Sequence, residues 1–140
     1  MPVKTKTPPP RSYFYAVGKR KTAIACVKLF AQGKGEQKIN QRDLQDYFTL
    51  AQARAALKTP FKVLDLSPKD YDFEIKVQGS GHNAQMEACL FGLAKALLTE
   101  NYERRKTLKS FKFLTSDSRQ REAKKPGLKR ARKAPQFSKR

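Results

Sequence analysis

Strict alternation of apolar and polar residues marks the clearest strands in the chain. In residues 71–78 the apolar side chains occupy every second position, namely Tyr71, Phe73, Ile75 and Val77. Residues 21–30 alternate less strictly, with Ala23, Ala25, Val27 and Leu29 on one face and a mixed second face of Lys21, Thr22, Ile24, Cys26, Lys28 and Phe30. Successive side chains of a strand point to opposite faces, so each stretch predicts a strand with one buried face. The aromatic-rich run of residues 13–17 predicts a further strand.

Glycines that follow the second of these stretches indicate a turn. Gln32-Gly33-Lys34-Gly35 comes after residues 21–30, and the short β-rich run of residues 37–40 comes next. Turn residues between two β-rich runs are typical of a hairpin, so we predict that residues 37–40 pair with residues 21–30. We interpret Gly18, which precedes three cationic residues, as the turn between the first two strands.

Helical spacing replaces alternation in the remaining apolar stretches. Asp43 is placed to begin a short helix that carries Leu44, Tyr47 and Phe48. Residues 51–57 predict a second helix, which Pro60 should end because proline cannot donate the next helical hydrogen bond. The following run of residues 61–66 is β-rich and predicts a strand.

The longest predicted helix follows the turn Gly79-Ser80-Gly81. Its apolar residues recur at helical spacing, at Met86, Cys89, Leu90, Leu93 and Leu97. Ser80 or Asn83 is placed to cap it, and it continues or restarts through residues 102–108. Together the elements predict an α+β fold, a two-layer β-α-β domain whose mixed sheet carries helices on one face.

Charge divides the 140-residue chain into three parts. The whole chain holds 31 lysine and arginine residues against 12 acidic ones, a net charge of +19. Residues 1–21 hold six basic residues and no acid, and residues 118–140 hold ten basic residues and one acid. We therefore expect a flexible basic, Pro-rich arm at residues 1–12, a globular α+β domain at residues 13–115 and an extended basic tail at residues 116–140.

Such a charge indicates a polyanionic partner, either a nucleic acid or an anionic membrane. A membrane-active protein needs a basic amphipathic helix, which the Pro126-Gly127 and Ala134-Pro135 steps of the tail interrupt. No apolar run approaches the roughly 18–20 residues that span a bilayer, so we expect no membrane partner. The arm at residues 1–12 lacks the apolar stretch of a secretory signal, and its prolines disfavour an amphipathic targeting helix.

Catalysis and cofactor binding find little support in the sequence. The single histidine, His82, has no nucleophile or carboxylate at a fixed spacing, and Cys26 and Cys89 form no metal-binding pair. The Gly79-Ser80-Gly81 turn matches neither nucleotide-binding glycine motif, and it is either a simple turn or a place where backbone donors approach an RNA phosphate. We expect no enzymatic activity, no cofactor and no metal.

RNA phosphates are the expected partners of two groups of cations. The first group lies at the predicted first turn and comprises Lys19, Arg20 and Lys21. The second lies in the tail, which has too little apolar surface to fold alone and gains affinity by counterion release: Lys124, Lys125, Lys129, Arg130, Arg132 and Lys133. A free-standing double-stranded RNA-binding module is an alternative, but it needs a lysine cluster that residues 83–89 lack.

Several segments resemble the S-nine family of small-subunit ribosomal proteins. Gly18-Lys19-Arg20-Lys21-Thr22-Ala23 is similar to the family's opening motif. Residues 124–140 resemble its bacterial-type C-terminus almost throughout, and Ile39-Asn40 with Tyr47-Phe48 resembles an internal motif. Residues 77–86 follow the family's glycine-rich pattern with substitutions, and Leu90 stands where the family usually has arginine.

The resemblance implies a structural protein of the head of the small ribosomal subunit that contacts rRNA and neighbouring ribosomal proteins. It also implies that the tail reaches the tRNA in the peptidyl site, with Ser138, Lys139 and Arg140 at the anticodon stem-loop. Residues 114–119 are similar to a further family motif, which adds Arg119 to the expected rRNA contacts. Ser116 stands where this motif has an arginine, and Arg121 is the expected substitute for that contact. A cytoplasmic bacterial ribosome is the implied location, and an organelle ribosome is the alternative.

Overall fold

The computed structural model describes residues 12–139, and the predicted arm at residues 1–12 lies almost wholly outside them. Five strands, four α-helices and two short 3-10 turns follow one another in these residues. In chain order they are β1 Phe14–Arg20, β2 Ala23–Ala31, β3 Gln37–Ile39, β4 Arg42–Asp43, α1 Leu44–Tyr47, α2 Ala51–Val63, the 3-10 turn Pro68–Asp70, β5 Tyr71–Gln78, α3 His82–Glu100, the 3-10 turn Tyr102–Arg104 and α4 Arg105–Ser110.

The five strands form one mixed sheet in the order β1-β2-β5-β3-β4. Strand β2 pairs antiparallel with β1 and with β5, whereas β3 pairs parallel with β5, with Ile39 opposite Ile75. The predicted hairpin between residues 21–30 and 37–40 is therefore wrong. Strand β5 lies between these two strands, and the hairpin of the sheet is β1–β2.

Asp72 explains why β3 leaves β2. Its carboxylate oxygen Oδ1 accepts the backbone N–H groups of Lys34 at 2.7 Å and of Glu36 at 2.8 Å, while Gly33 N–H donates to the Asp70 carbonyl at 2.7 Å. These bonds hold the loop after β2 against the start of β5. The chain therefore enters β3 on the far side of β5.

Asn40 extends the pairing of β3 and β5 by one residue. Its backbone N–H donates to the Ile75 carbonyl at 2.8 Å. Its side-chain amide donates to the Val77 carbonyl and accepts the Val77 N–H, both at 2.9 Å. A single side chain thus imitates a strand residue, and this accounts for the asparagine of the internal motif.

The core lies between α3 and one face of the sheet. The alternating residues of β2 (Ala23, Ala25, Val27 and Leu29) are fully buried, as the sequence predicted, and those of β5 are nearly so. Helix α3 contacts β1, β2 and β5, and α2 packs on α3. The opposite face leaves Tyr15 and Ile24 partly exposed. This arrangement confirms the predicted α+β fold.

Gly18 is a packing residue within β1, and its interpretation as a turn is wrong. A Cβ atom at Gly18 would lie 1.9 Å from the carbonyl oxygen of Ala88 on α3. A Cβ at Gly92, also on α3, would lie 2.6 Å from a methyl carbon of Val27. The two glycines let the helix approach the sheet closely, and the turn lies instead at Lys21–Thr22, where Lys21 has φ +53°.

Two helix ends also differ from the predictions. Helix α2 continues through Pro60 to Val63, so residues 61–66 form no strand. The missing Pro60 N–H removes one bond in the last turn only, and burial of Pro60 and Phe61 in the core offsets the loss. Helix α3 has Gly81 at its N-cap with no side-chain cap hydrogen bond, rather than Ser80 or Asn83.

Strand β1 forms one outer edge of the sheet. Lys95 on α3 extends to this edge, where its ammonium group donates to the Val17 carbonyl at 3.2 Å. A two-residue loop pairs Arg20 with Ala23, and the alternation of an antiparallel pair then turns the Val17 carbonyl away from β2. Among the described residues, no helix combines the length and the apolar character that crossing a membrane requires.

Candidate nucleic-acid interface

The β1–β2 turn forms one end of the domain and carries two exposed cations, Lys19 and Lys21. Gly79 packs directly against this turn, since its Cβ would lie 2.4 Å from the Thr22 carbonyl oxygen, and its φ of +85° favours glycine. We call Lys19–Thr22 the hairpin end.

Arg20 differs from both of its neighbours because its side chain is only 12% exposed. Its guanidinium forms an ion pair with Glu87 on α3 and a second with Asp117 at 3.1 Å. A third bond runs from its Nη1 to the Arg119 carbonyl at 3.4 Å. We call these four residues, from β1, α3 and the start of the tail, the tail anchor.

Asp117 is the acidic centre of the tail anchor. Its carboxylate accepts the Arg119 backbone N–H at 2.9 Å and the Arg119 guanidinium at 2.7–3.1 Å. Hydrogen bonds from Arg119, together with the charge of Arg20, hold the pKa of Asp117 well below its usual range. The carboxylate is therefore ionised throughout the neutral range, and the Arg119 side chain stays 84% exposed.

Beyond α4, the described tail contains no helix or strand as far as Lys139. A β-turn occurs at Lys125–Leu128, where the Leu128 N–H donates to the Lys125 carbonyl at 3.3 Å. Gly127 supplies the positive φ of +82° that this turn uses. Directly after this turn, a 2.8 Å bond from Lys129 N–H to the Lys133 carbonyl closes a second bend.

Glu122 is the one acidic residue of residues 118–140. Its carboxylate forms an ion pair with Lys125 and a 2.8 Å ion pair with Arg132. Both contacts are solvent-exposed, so each contributes little to stability. They bend the middle of the tail without burying its cations.

Most of the residues predicted to bind RNA are exposed in this structure. The exposed ones are Lys19, Lys21, Arg119, Arg121, Lys124, Lys125, Lys129, Arg130, Arg132, Lys133, Ser138 and Lys139. Arg20 is turned inward to the tail anchor, and Arg140 lies outside the described residues. The hairpin end lies beside residues 116–120, which we call the root of the tail, since the Gln120 side chain donates to the Lys21 carbonyl at 3.5 Å.

The glycine-rich loop before α3 is held by a chain of side-chain hydrogen bonds. Tyr47 donates to the Gln85 amide oxygen at 2.8 Å, and the Gln85 amide donates to the Gly79 carbonyl at 3.1 Å. Tyr47 therefore has a structural role in this fold. His82 is exposed and lies edge-on to the Tyr47 ring at 6.3 Å, and no group of three metal-binding side chains occurs in the part of the chain described.

Sequence reasoning missed the acidic partners of the anchor. Glu87 lies 67 residues from Arg20 along the chain, and neither Glu87 nor Asp117 belongs to a local charge pattern that points to Arg20. The available signal was indirect. Alternation places Arg20 and Lys19 on opposite faces of β1. The face that carries Arg20 is the one that α3 covers.

A small α+β domain with an exposed, cation-rich tail is the architecture of a protein that binds a folded polyanion. The family model described as ribosomal protein S9/S16 matches residues 18–140. The small ribosomal subunit protein uS9 of Dehalococcoides mccartyi strain 195 is 46% identical over 129 residues, which cover 92% of this chain and 96% of that protein. Its counterparts in strains BAV1 and CBDB1 are 46% and 45% identical over the same shares.

This chain therefore belongs to the ribosomal protein S9/S16 family. The resemblance that its motifs indicated is confirmed, and the chain is a non-enzymatic structural constituent of the small subunit of the bacterial cytoplasmic ribosome. Its partners are rRNA and other ribosomal proteins. Membership of this family favours the ribosomal role over the alternative of a free-standing RNA-binding module.

Proposed function

We propose that the protein sits in the head of the small subunit, binds rRNA through the hairpin end and the tail, and contacts the peptidyl-site tRNA through Ser138, Lys139 and Arg140. The observation that carries the proposal is the exposed basic tail. It starts beside the hairpin end, and its described residues form no helix or strand. The twenty residues from Arg119 to Ser138 span at most about 70 Å when extended. A domain fixed on rRNA can therefore place the last residues far from its own surface.

Charge supports the assignment of the binding surfaces. Each lysine or arginine that neutralises an RNA phosphate releases condensed counterions, so a chain of exposed cations binds by a salt-dependent mechanism. The hairpin end adds Lys19 and Lys21 at the point where the tail begins. The two surfaces are thus continuous and suit one stretch of folded RNA.

Deletion of Ser138–Arg140 tests the tRNA contact. We expect weaker binding of tRNA to the peptidyl site of reconstituted subunits, with a salt slope lower by about two because two cations are removed. Assembly, followed by sedimentation, should be unchanged. Unchanged tRNA affinity and slope in subunits that contain the truncated protein would refute the contact.

Two matched variants separate charge from the hydroxyl group. Lys139→Ala removes one cation and should lower the salt slope of tRNA binding by about one, whereas Ser138→Ala should leave the slope unchanged. Equal slopes for the two variants would show that Lys139 does not touch a phosphate.

A second pair tests the hairpin end on rRNA. The double variant of Lys19→Ala and Lys21→Ala should weaken rRNA binding and lower its salt slope by about two. The control removes Lys62 and Lys69, two exposed lysines outside both surfaces, and should change the slope much less. Equal losses in the two double variants would contradict a specific surface at the hairpin end.

A further inference from the structure

We propose that Arg20 is a positioning residue that, with Glu87 and Asp117, fixes the direction in which the tail leaves the domain. The sequence predicts that Arg20 binds rRNA, whereas its contacts in the structure indicate a positioning role. What the tail is aimed at rests on the proposed function above. The role of Arg20 in ordering the start of the tail is independent of that proposed function.

The backbone dictates how the three adjacent cations divide. Successive side chains of β1 alternate between the faces of the sheet, so Lys19 and Arg20 point to opposite sides. The Arg20 side points to α3, where Glu87 lies, and the other side is open. Lys21 has left the strand at the turn and is exposed. Two cations therefore face solvent, and the third faces the domain.

Arg20 joins three parts of the chain, namely β1, α3 and the start of the tail. It starts on β1, pairs with Glu87 of α3 and reaches both the Asp117 carboxylate and the Arg119 carbonyl of the tail. Its side chain is 12% exposed, against 84% for Arg119. A guanidinium enclosed by two carboxylates and a carbonyl has few donors left for an RNA phosphate.

Arginine suits this place better than lysine. Its planar guanidinium presents five donors in a fixed fork, so it satisfies Glu87, Asp117 and the Arg119 carbonyl at once. A lysine ammonium is a compact charge on a flexible stem and does not span the same partners. The Arg20→Lys variant therefore keeps the charge and loses the geometry.

The tail anchor determines how many residues of the tail are free to move relative to the domain. Helix α4 ends at Ser110, and Phe113 N–H still bonds to the Leu108 carbonyl. Without the anchor the free segment would begin near Leu114 instead of near Gln120, which lengthens it by about a third. A longer, undirected tether lowers the effective concentration of its tip at a fixed target, here by roughly 1.5-fold.

The test measures the order of the tail root in the free, full-length protein by ¹⁵N relaxation. We expect residues 116–120 to have order parameters near those of the domain, about 0.8, and to fall below about 0.6 in Arg20→Ala and in Arg20→Lys. Asp117→Asn should have the same effect. Because Asp117 lies outside the helices and strands, that variant leaves the domain folded. Lys19→Ala is the matched control and should change nothing at the root.

A double-mutant cycle and a binding measurement complete the design. Combining Arg20→Ala with Asp117→Asn should loosen the root no more than either change alone. The salt slope of rRNA binding should stay unchanged in Arg20→Lys, and Arg20→Ala should not show the loss of about one that a phosphate contact gives. An unchanged order of residues 116–120 in Arg20→Ala, or a slope lower by one with that order preserved, overturns the proposal. Failure of the tRNA contact alone would leave the relaxation result intact.

Discussion

The globular domain and the tail use the same kinds of residues in opposite ways. In the domain, two motif residues bind other parts of the fold, since Arg20 pairs with Glu87 and the Asn40 side chain bonds to the Val77 backbone. In the tail, most cations point to solvent, and Glu122 makes only exposed ion pairs. A shared sequence motif therefore does not by itself identify a binding residue. The face on which the residue lies decides whether it stabilises the fold or meets RNA.

Thiol reactivity should give the largest contrast between the two regions. Cys89 is fully buried on α3, and burial raises its pKa to about 12 because a thiolate is poorly solvated there. In a Ser138→Cys variant at pH 8, alkylation mapped by mass spectrometry should be at least roughly a thousandfold faster at position 138 than at Cys89. Comparable rates would mean that the interior around Cys89 opens readily.

A methyl group added to each region should give the next largest contrast. Gly18→Ala places a Cβ atom against the Ala88 carbonyl and should lower the free energy of unfolding by about 3 kcal/mol. Gly127→Ala places its Cβ where no atom lies within 4 Å and should leave domain stability unchanged, although it strains the tail turn. Urea unfolding followed by circular dichroism measures both variants. A stable Gly18→Ala protein would contradict the close approach of β1 and α3.

Removing one carboxylate from each region sharpens the same comparison. Asp72→Ala leaves the partly buried N–H groups of Lys34 and Glu36 without this acceptor and should cost about 1 kcal/mol of unfolding free energy. Glu122→Ala breaks only exposed ion pairs, and the unfolding midpoint should not move. A shift of the midpoint in Glu122→Ala would show that the tail contributes to the stability of the domain.

The smallest expected effect concerns a single cation in each region. Lys129→Ala in the tail should lower the salt slope of rRNA binding by about one, while Lys62→Ala on α2 should leave it unchanged. Filter binding over a range of salt concentrations measures both slopes. Equal slopes in the two variants would contradict the assignment of Lys129 to an RNA phosphate.

Periodicity predicted the elements that carry their own pattern. The alternation of β2 and β5 and the helical spacing of α3 are local properties, and the structure confirms the buried faces that they imply. Pairing between strands is not local. Gly33 and Gly35 indicated a turn, but the sequence alone did not show that Asp72, nearly forty residues later, binds this loop and moves β3 beside β5.

In the candidate site, too, local properties were predictable from the sequence and contacts between distant residues were not. The exposed cations of the tail were predictable because a chain with little apolar content leaves them in solvent. The inward turn of Arg20 was not predictable, because it depends on carboxylates contributed by α3 and by the start of the tail. Residue type indicated RNA binding for all three cations of the hairpin end, and only their places in the fold distinguish them.

Lys95 changes what the edge strand β1 offers to other molecules. An outer strand offers unpaired backbone groups to the strands of other molecules. The Lys95 ammonium occupies the Val17 carbonyl on this edge and adds a positive charge that repels a second copy. One lysine on a core helix thus occupies a backbone acceptor of this edge that a second strand would otherwise use.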